Sequence, residues 1–240
     1  MNKLFVSEIF GPTLQGEGTF FGQPCFFIRL SGCNLRCEWT NKDGTYTKCD
    51  TPYTSWNAEG EHLTVEQIVD RLDMLNVFNI NNVVITGGEP FLQKNVVDLI
   101  NVLSKKYSVT VETNGTIYRE NNAQLISISP KLSSSTPKTC IKSRNIHVRN
   151  RVYDKTINEF YKNNKCQIKF VYSCEDDIIE INKFVKKHGI KNEDVYLMPQ
   201  GDISKKILEN TRSCFEACIK NNYNMTHRLH ILAYEDKREV

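Results

Sequence analysis

Three cysteines, Cys33, Cys37 and Cys49, fall within seventeen residues, directly after an apolar, strand-like run, Cys25–Leu30. The opening stretch MNKLFVSEIFGPT has no long apolar region, because Ser7 and Glu8 interrupt it, so it does not read as a secretion signal. Thiols in a chain without such a signal stay reduced, and three of them crowded together point to metal before disulfide. Their number narrows the chemistry. A structural zinc ion closes its shell with four protein ligands, whereas three ligands leave a position for something else. Thiolates select zinc, cuprous copper or iron–sulfur clusters, and an incompletely ligated cubane offers one iron to a small molecule. On the cysteines alone two readings stay open: such a cluster, or a structural zinc site completed by His62 or another cysteine.

Other polar residues stand out against their neighbours. Arg29 lies inside the apolar run CFFIRL and needs an anion or a route to water. Its guanidinium fork matches a carboxylate at two points. Leu14–Gly18 (LQGEG) sets two glycines around a carboxylate, which suits close backbone approach to a ligand and equally suits a plain loop. Strand-like runs also end in Gly87-Gly88-Glu89-Pro90, in Glu112-Thr113-Asn114-Gly115 and in Ser129-Pro130-Lys131.

Rigid elements must hold these groups. Asn2–Phe10 reads as a first strand ended by Gly11-Pro12, and the polar stretch Thr40–Lys48 has Asp43-Gly44 placed for a hairpin turn. Leu63–Leu75 is an amphipathic helix with Thr64 as cap. The buried-type strand Asn82–Thr86, a helix over Asn95–Lys106 and the strand Ser108–Glu112 make a βαβ unit, with its glycine-rich turn where α/β sheets place ligands. Further on come a helix over Tyr153–Tyr161, a strand Cys166–Ser173, a helix Glu175–His188, a strand Val195–Gly201 and a helix Ser204–Asn221 capped by Ser204. This alternation predicts an α/β architecture with the site on one rim, and 240 residues suit a single domain.

Composition excludes other classes. A hydrophobic content of 40% with 25% charged residues is that of a soluble globular protein, and a net charge of +3 argues for neither nucleic acid nor membrane. No run approaches the roughly 18 apolar residues of a membrane span, so a cytoplasmic location is expected. The basic segment Lys142–Arg151 lacks interleaved aromatics and reads as a solvated connection rather than a nucleic-acid patch. Cys214 and Cys218 share a helix face and read as buried small side chains rather than metal ligands.

Cys33-x3-Cys37 followed by Cys49 resembles the CxxxCxxC cluster loop of radical S-adenosylmethionine enzymes, and Gly87-Gly88-Glu89-Pro90 resembles their motif for the cofactor's methionine amino group. More narrowly, Leu14-Gln15-Gly16-Glu17-Gly18, Arg29-Leu30-Ser31-Gly32-Cys33-Asn34-Leu35 and Cys49-Asp50-Thr51 resemble the 7-carboxy-7-deazaguanine synthase family. One departure is plain. The family pattern has two residues between its second and third cysteines and this chain has eleven, which reads as a nine-residue insertion after Trp39.

The resemblance implies a partial, pared-down barrel of mostly parallel strands. It implies a 4Fe–4S cluster on Cys33, Cys37 and Cys49, and a magnesium ion on Thr51. It places S-adenosylmethionine against Gly87, Gly88 and Glu89, with Ser129, Lys131, Gln167 and Gln200 as further contacts. The substrate, 6-carboxy-5,6,7,8-tetrahydropterin, would meet Gln15, Gly16, Glu17, Arg29 and His230, with Arg29 on its carboxylate. The implied reaction is hydrogen abstraction by a 5′-deoxyadenosyl radical, then ring contraction with loss of ammonia, on the route to queuosine-type bases. A homodimer, an electron donor such as flavodoxin, and no direct contact with nucleic acid or membrane are also implied. Two rivals remain. Glycyl-radical activases share the cysteine loop but have no reason to carry LQGEG, and a zinc-stabilised module could meet nucleic acid through the segment near Arg144.

Overall fold

The computed structural model describes residues 3–41, 43–235 and 237–240. In chain order the elements begin β1 (Lys3–Leu14), β2 (Pro24–Leu30), β3 (Glu38–Thr40), β4 (Tyr46–Lys48), α1 (Pro52–Ser55), β5 (Glu61–Thr64), α2 (Val65–Leu75), β6 (Asn82–Gly87), α3 (Val96–Leu103) and β7 (Ser108–Thr113). They continue with β8 (Leu125–Ile128), α4 (Ile141–Asn150), α5 (Asp154–Asn163), β9 (Cys166–Tyr172), α6 (Glu175–His188), β10 (Val195–Pro199), α7 (Ser204–Asn221), β11 (Asn224–Met225) and α8 (Leu229–Tyr234).

Nine strands form one sheet in the order β11-β10-β9-β8-β7-β6-β2-β1-β5. From β2 to β11 every pairing is parallel, while β1 and β5 add an antiparallel edge. The sheet is open, with β5 and β11 as its edges, and it curls into the partial barrel expected. The loop leaving β1 shows the curl: Thr19 N donates to Gln167 Oε1 on β9 at 2.7 Å, five places along the sheet from β1.

Both faces of the parallel strands are buried, but they differ in chemistry. On the outer face Val83, Ile85, Val109, Val111, Ile126, Ile128, Ile168 and Phe170 join the apolar core with Ile68 and Leu72 of α2, Leu99 and Leu103 of α3, and Phe160 of α5. Alternate positions turn inward and carry Arg29, Thr86, Glu112, Ser127, Gln167 and Lys169. The strand period of two therefore sorts the sequence into a core layer and a polar inner layer.

Several boundaries moved. Gly11-Pro12 does not end β1; a register shift between Phe10 and Thr13 absorbs it and the strand runs on to Leu14. Leu63 belongs to β5, and Thr64 caps α2 through a capping box with Gln67. The helix expected over Asn95–Lys106 is regular only over Val96–Leu103. Ser204 is not the cap of α7: the cap position is Ile203, and the Ser204 N–H instead donates to the Glu235 carboxylate at 2.8 Å. The basic segment Lys142–Arg151 is not a loop but the helix α4. It buries only Ser143 and His147, so no apolar periodicity announced it. Cys214 and Cys218 are buried in the core, as read from their spacing. No helix among the described residues is long and apolar enough to cross a membrane.

Candidate active site

Cross-strand register builds the floor of the site. Arg29 on β2 lies opposite Thr86 on β6, Glu112 on β7 lies opposite Ser127 on β8, and Ser127 lies opposite Gln167 on β9. The Thr86 hydroxyl donates to Glu112 at 3.1 Å and closes the gap between the two pairs. Above this polar row opens a cavity of about 310 Å³.

The cysteine loop walls one side of that cavity, and the eleven-residue spacing is resolved by a hairpin. β3 and β4 pair antiparallel with Glu38 opposite Lys48, and the turn lies near Asp43-Gly44, as the sequence suggested. Folding back this way returns the chain to where it left, so Cys49 N donates to the Cys37 carbonyl at 3.1 Å. All three cysteines line the cavity. Burial pushes the Cys33 thiol up to about 12 and raises Cys37 further, so in the protein alone both carry protons that a metal must displace. Among the described residues no three His, Cys, Asp or Glu side chains converge on a single ion. A cubane anchors each thiolate at a different iron and needs no such convergence, so this donor set fits three corners of a cluster better than one zinc ion.

The two glycines of the GGEP turn make room for this loop. A Cβ on Gly87, at φ +133°, would sit 1.9 Å from the Leu30 carbonyl oxygen, and one on Gly88 would sit 2.2 Å from that of Gly32. Main-chain bonds then tie the segments together, Gly88 N to Leu30 O at 3.0 Å and Glu89 N to Gly32 O at 2.9 Å.

The same cavity holds a cluster of charges. Lys169 on β9, 3% exposed, donates to Glu17 at 2.6 Å and to Glu112 at 3.0 Å. Arg228 donates to Glu17 at 3.4 Å, to the Gly201 carbonyl at 2.7 Å and to Asp50. Burial would raise the Glu17 carboxyl, but Lys169, Arg228 and His230 override it and hold the group well below the usual carboxylate range. Burial likewise would lower Lys169, and the Glu112 and Glu17 carboxylates overcome that and raise it. Desolvation lowers His230 to about 4 against the pull of Glu17, so its imidazole is neutral near pH 7.

Most residues singled out from the sequence meet here. Gln15, Glu17, Arg29, Thr51 and His230 line the cavity, as do Gly87, Gly88, Ser129, Lys131 and Gln200. Arg29 already donates through Nε to Glu8 at 2.7 Å. Three residues stand elsewhere. Glu89 is fully buried, and its carboxylate accepts from Phe91 N at 3.0 Å, Thr113 Oγ1 at 2.8 Å and Asn114 N at 2.7 Å. It pins the end of β7 to the GGEP turn; burial, opposed by those bonds, pushes its pKa up to about 7. Gln167 is spent on Ser127, at 2.8 Å, and on the Thr19 main chain, so it anchors the LQGEG loop from behind. Gly16 contributes absence of bulk: a Cβ there would lie 2.6 Å from His230 Nδ1. Glu112, Lys169 and Arg228 carry no role in the sequence pattern, yet they meet here as well. Lys169 inside CQIKFVY is a buried charge in an apolar run, the same signal that exposed Arg29, while Glu112 inside SVTVET is only half-buried.

Residues 27–212 match the family model described as the Radical SAM superfamily. The chain is 38% identical to the 7-carboxy-7-deazaguanine synthase of Rhodopirellula baltica, over 99% of this chain and 89% of the relative. It is 33% identical to the 7-carboxy-7-deazaguanine synthase of Halobacterium salinarum, over 100% of this chain and 92% of the relative. Among solved structures, the crystal structure of QueE from Escherichia coli shares the fold with a TM-score of 0.68, at 23% identity over 94% of this chain and 93% of that one.

Proposed function

The chain belongs to the 7-carboxy-7-deazaguanine synthase family of radical S-adenosylmethionine enzymes, and from that premise we propose that it converts 6-carboxy-5,6,7,8-tetrahydropterin to 7-carboxy-7-deazaguanine by hydrogen abstraction, ring contraction and loss of ammonia. One observation carries the reading. The LQGEG carboxylate, the strand arginine Arg29 and all three cysteines line the same cavity, although the chain places them up to 32 positions apart.

The residues fit the groups this chemistry needs. Cys33, Cys37 and Cys49 would hold a 4Fe–4S cluster, with one corner left for S-adenosylmethionine. When bound, these two supply the one-electron chemistry that yields a hydrogen-abstracting carbon radical. Gly87 and Gly88 would offer main-chain groups to S-adenosylmethionine, with Ser129 and Lys131, joined at 2.7 Å, and Gln200 as further contacts. Thr51 and the neighbouring Asp50 present oxygen donors of the kind magnesium takes, to be completed by substrate oxygens and water.

The chain's own groups bind and orient the substrate. Arg29 offers its terminal amino groups to the substrate carboxylate. Glu17, held ionised, accepts from the paired N–H groups of the aminopyrimidinone ring, with Gln15 and neutral His230 alongside. Lys169 and Arg228 balance the carboxylates, which keeps Glu17 fixed before the substrate arrives. The curled sheet and the loop after β1 enclose the reacting atoms and exclude stray hydrogen donors. A homodimer and an electron donor such as flavodoxin belong to the same reading.

The test is anaerobic incubation of the reconstituted protein with the carboxytetrahydropterin, S-adenosylmethionine and a reductant, followed by mass analysis. Appearance of the deazaguanine supports the assignment. Cleavage of S-adenosylmethionine with the pterin left intact would move the chain to another reaction of the superfamily.

A further inference from the structure

We propose that Arg238, on the C-terminal tail, is a positioning residue that acts through Glu8 to set the charge Arg29 presents to the substrate carboxylate. This rests on reading Arg29 as the partner of that carboxylate.

Glu8 is buried on β1, where a register shift after Val6 sets it opposite Arg29 of β2, and its side chain is 1% exposed. A carboxylate so placed must be matched by cations or hydrogen-bond donors. One oxygen, Oε2, accepts from Arg29 Nε at 2.7 Å and from the Tyr53 hydroxyl at 3.3 Å. The other, Oε1, accepts from Arg238 Nε at 2.6 Å. Arg238 is itself held in place: its guanidinium lies 3.7 Å from the Tyr53 ring centroid, and Nη1 donates to Glu59 at 2.7 Å. Arg238 and the residues beside it also line the cavity that Arg29 lines. The terminal amino groups of Arg29 make no hydrogen bond among the described residues, so they are the part of the guanidinium available to a ligand.

The charge count gives the arrangement its consequence. Two guanidiniums share the Glu8 carboxylate, one per oxygen, and Glu59 balances the second charge on the tail side, so the four groups are neutral together and Arg29 carries only part of the Glu8 charge. Without Arg238, Oε1 loses its cation and the whole carboxylate charge falls on Arg29. The pair becomes neutral, and Glu8 competes with the substrate carboxylate for the same fork. The tail thus keeps Arg29 open to an anion without touching the substrate through Arg238.

The experiment is equilibrium dialysis on the reconstituted full chain with S-adenosylmethionine and no reductant, so that nothing turns over. The probes are pterin-6-carboxylate and 6-hydroxymethylpterin, which differ at the carboxylate. Arg238→Ala, and in parallel Arg238→Gln to preserve bulk, should weaken the carboxylate probe by about tenfold or more and leave the hydroxymethyl probe unchanged. Arg238→Lys should recover most of the loss. Adding Glu8→Gln to Arg238→Ala should also restore carboxylate binding, because it removes the competing charge; a merely structural tail would not respond in this way. Equal weakening of both probes, no weakening of either, or failure of Glu8→Gln to rescue would overturn the proposal. Arg29→Ala separates the two layers. If it discriminates between the probes while Arg238→Ala does not, the Arg29 assignment stands and this inference falls; if it does not discriminate, both fall.

Discussion

Replacing Lys169 by methionine tests the charge cluster most directly. The ammonium is 3% exposed and bridges Glu17 at 2.6 Å and Glu112 at 3.0 Å. Methionine fills similar space but leaves both carboxylates without their shared cation. Breaking a buried pair from one side costs about 3–5 kcal/mol. Arg228 remains 3.4 Å from Glu17 and softens the loss, so the lower end, about 3 kcal/mol, is expected. For a chain of this length that corresponds to a melting temperature roughly 6–12 °C lower. The sign of the pH dependence gives a second check. In the native protein Glu17 is depressed, so its stabilisation is present above the ordinary carboxylate range and is lost as pH falls through that range toward its folded value. In Lys169→Met the facing carboxylates repel, which favours protonation. The deficit should therefore shrink as pH drops from about 7.5 to about 5. Thermal unfolding of the cofactor-free protein by circular dichroism at both pH values reads this out, with Lys169→Met/Glu17→Gln expected to recover part of the loss. A melting temperature within about 3 °C of the parent, or a deficit independent of pH, would refute the reasoning.

Other substitutions probe separate parts of the argument. Gly87→Ala forces a Cβ to within 1.9 Å of the Leu30 carbonyl oxygen at φ +133°, so a loss of about 3 kcal/mol or more is expected, seen as a lower melting temperature and poor soluble yield. Deleting Thr40–Lys48 should leave iron and sulfide content after anaerobic reconstitution unchanged, because the hairpin returns Cys49 to Cys37 and its own lining residues, Thr47 and Lys48, supply no thiolate; loss of the cluster would show that β3 and β4 shape the site themselves. Glu89 is an acid raised to about 7, so the stability it contributes is present below the ordinary carboxylate range and disappears as pH rises through about 7. Relative to Glu89→Gln, the parent should lose roughly 2–4 kcal/mol between about pH 4.5 and pH 7.5, measured by denaturant titration, and parallel profiles would contradict this.

Much of this fold was legible along the chain because its signals are local. The strand-like runs at Asn82–Thr86 and Cys166–Ser173, and the 3.6-period face of Leu63–Leu75, matched the elements found to within a residue or two. Helix α4 escaped because it buries only Ser143 and His147, and a helix that packs so little of itself leaves no apolar stripe to read. The end assigned to β1 at Gly11-Pro12 failed because this part of β1 pairs only with β2, and a register shift there accommodates what a strand paired on both sides could not.

The candidate site divides along the same line. Residue type and order alone determined that three reduced thiols, an arginine inside an apolar strand and a glycine-rich turn were present, and that they resembled one family's pattern. Only the tertiary structure decided that Cys49, twelve residues beyond Cys37, returns to its side, that Glu89 and Gln167 hydrogen-bond to the scaffold, and that Lys169 stands between Glu17 and Glu112. The physical reason is strand register. A side chain's direction follows from its own position in a strand, but its partners follow from how far neighbouring strands slide against one another, and that offset is set by packing across the whole sheet.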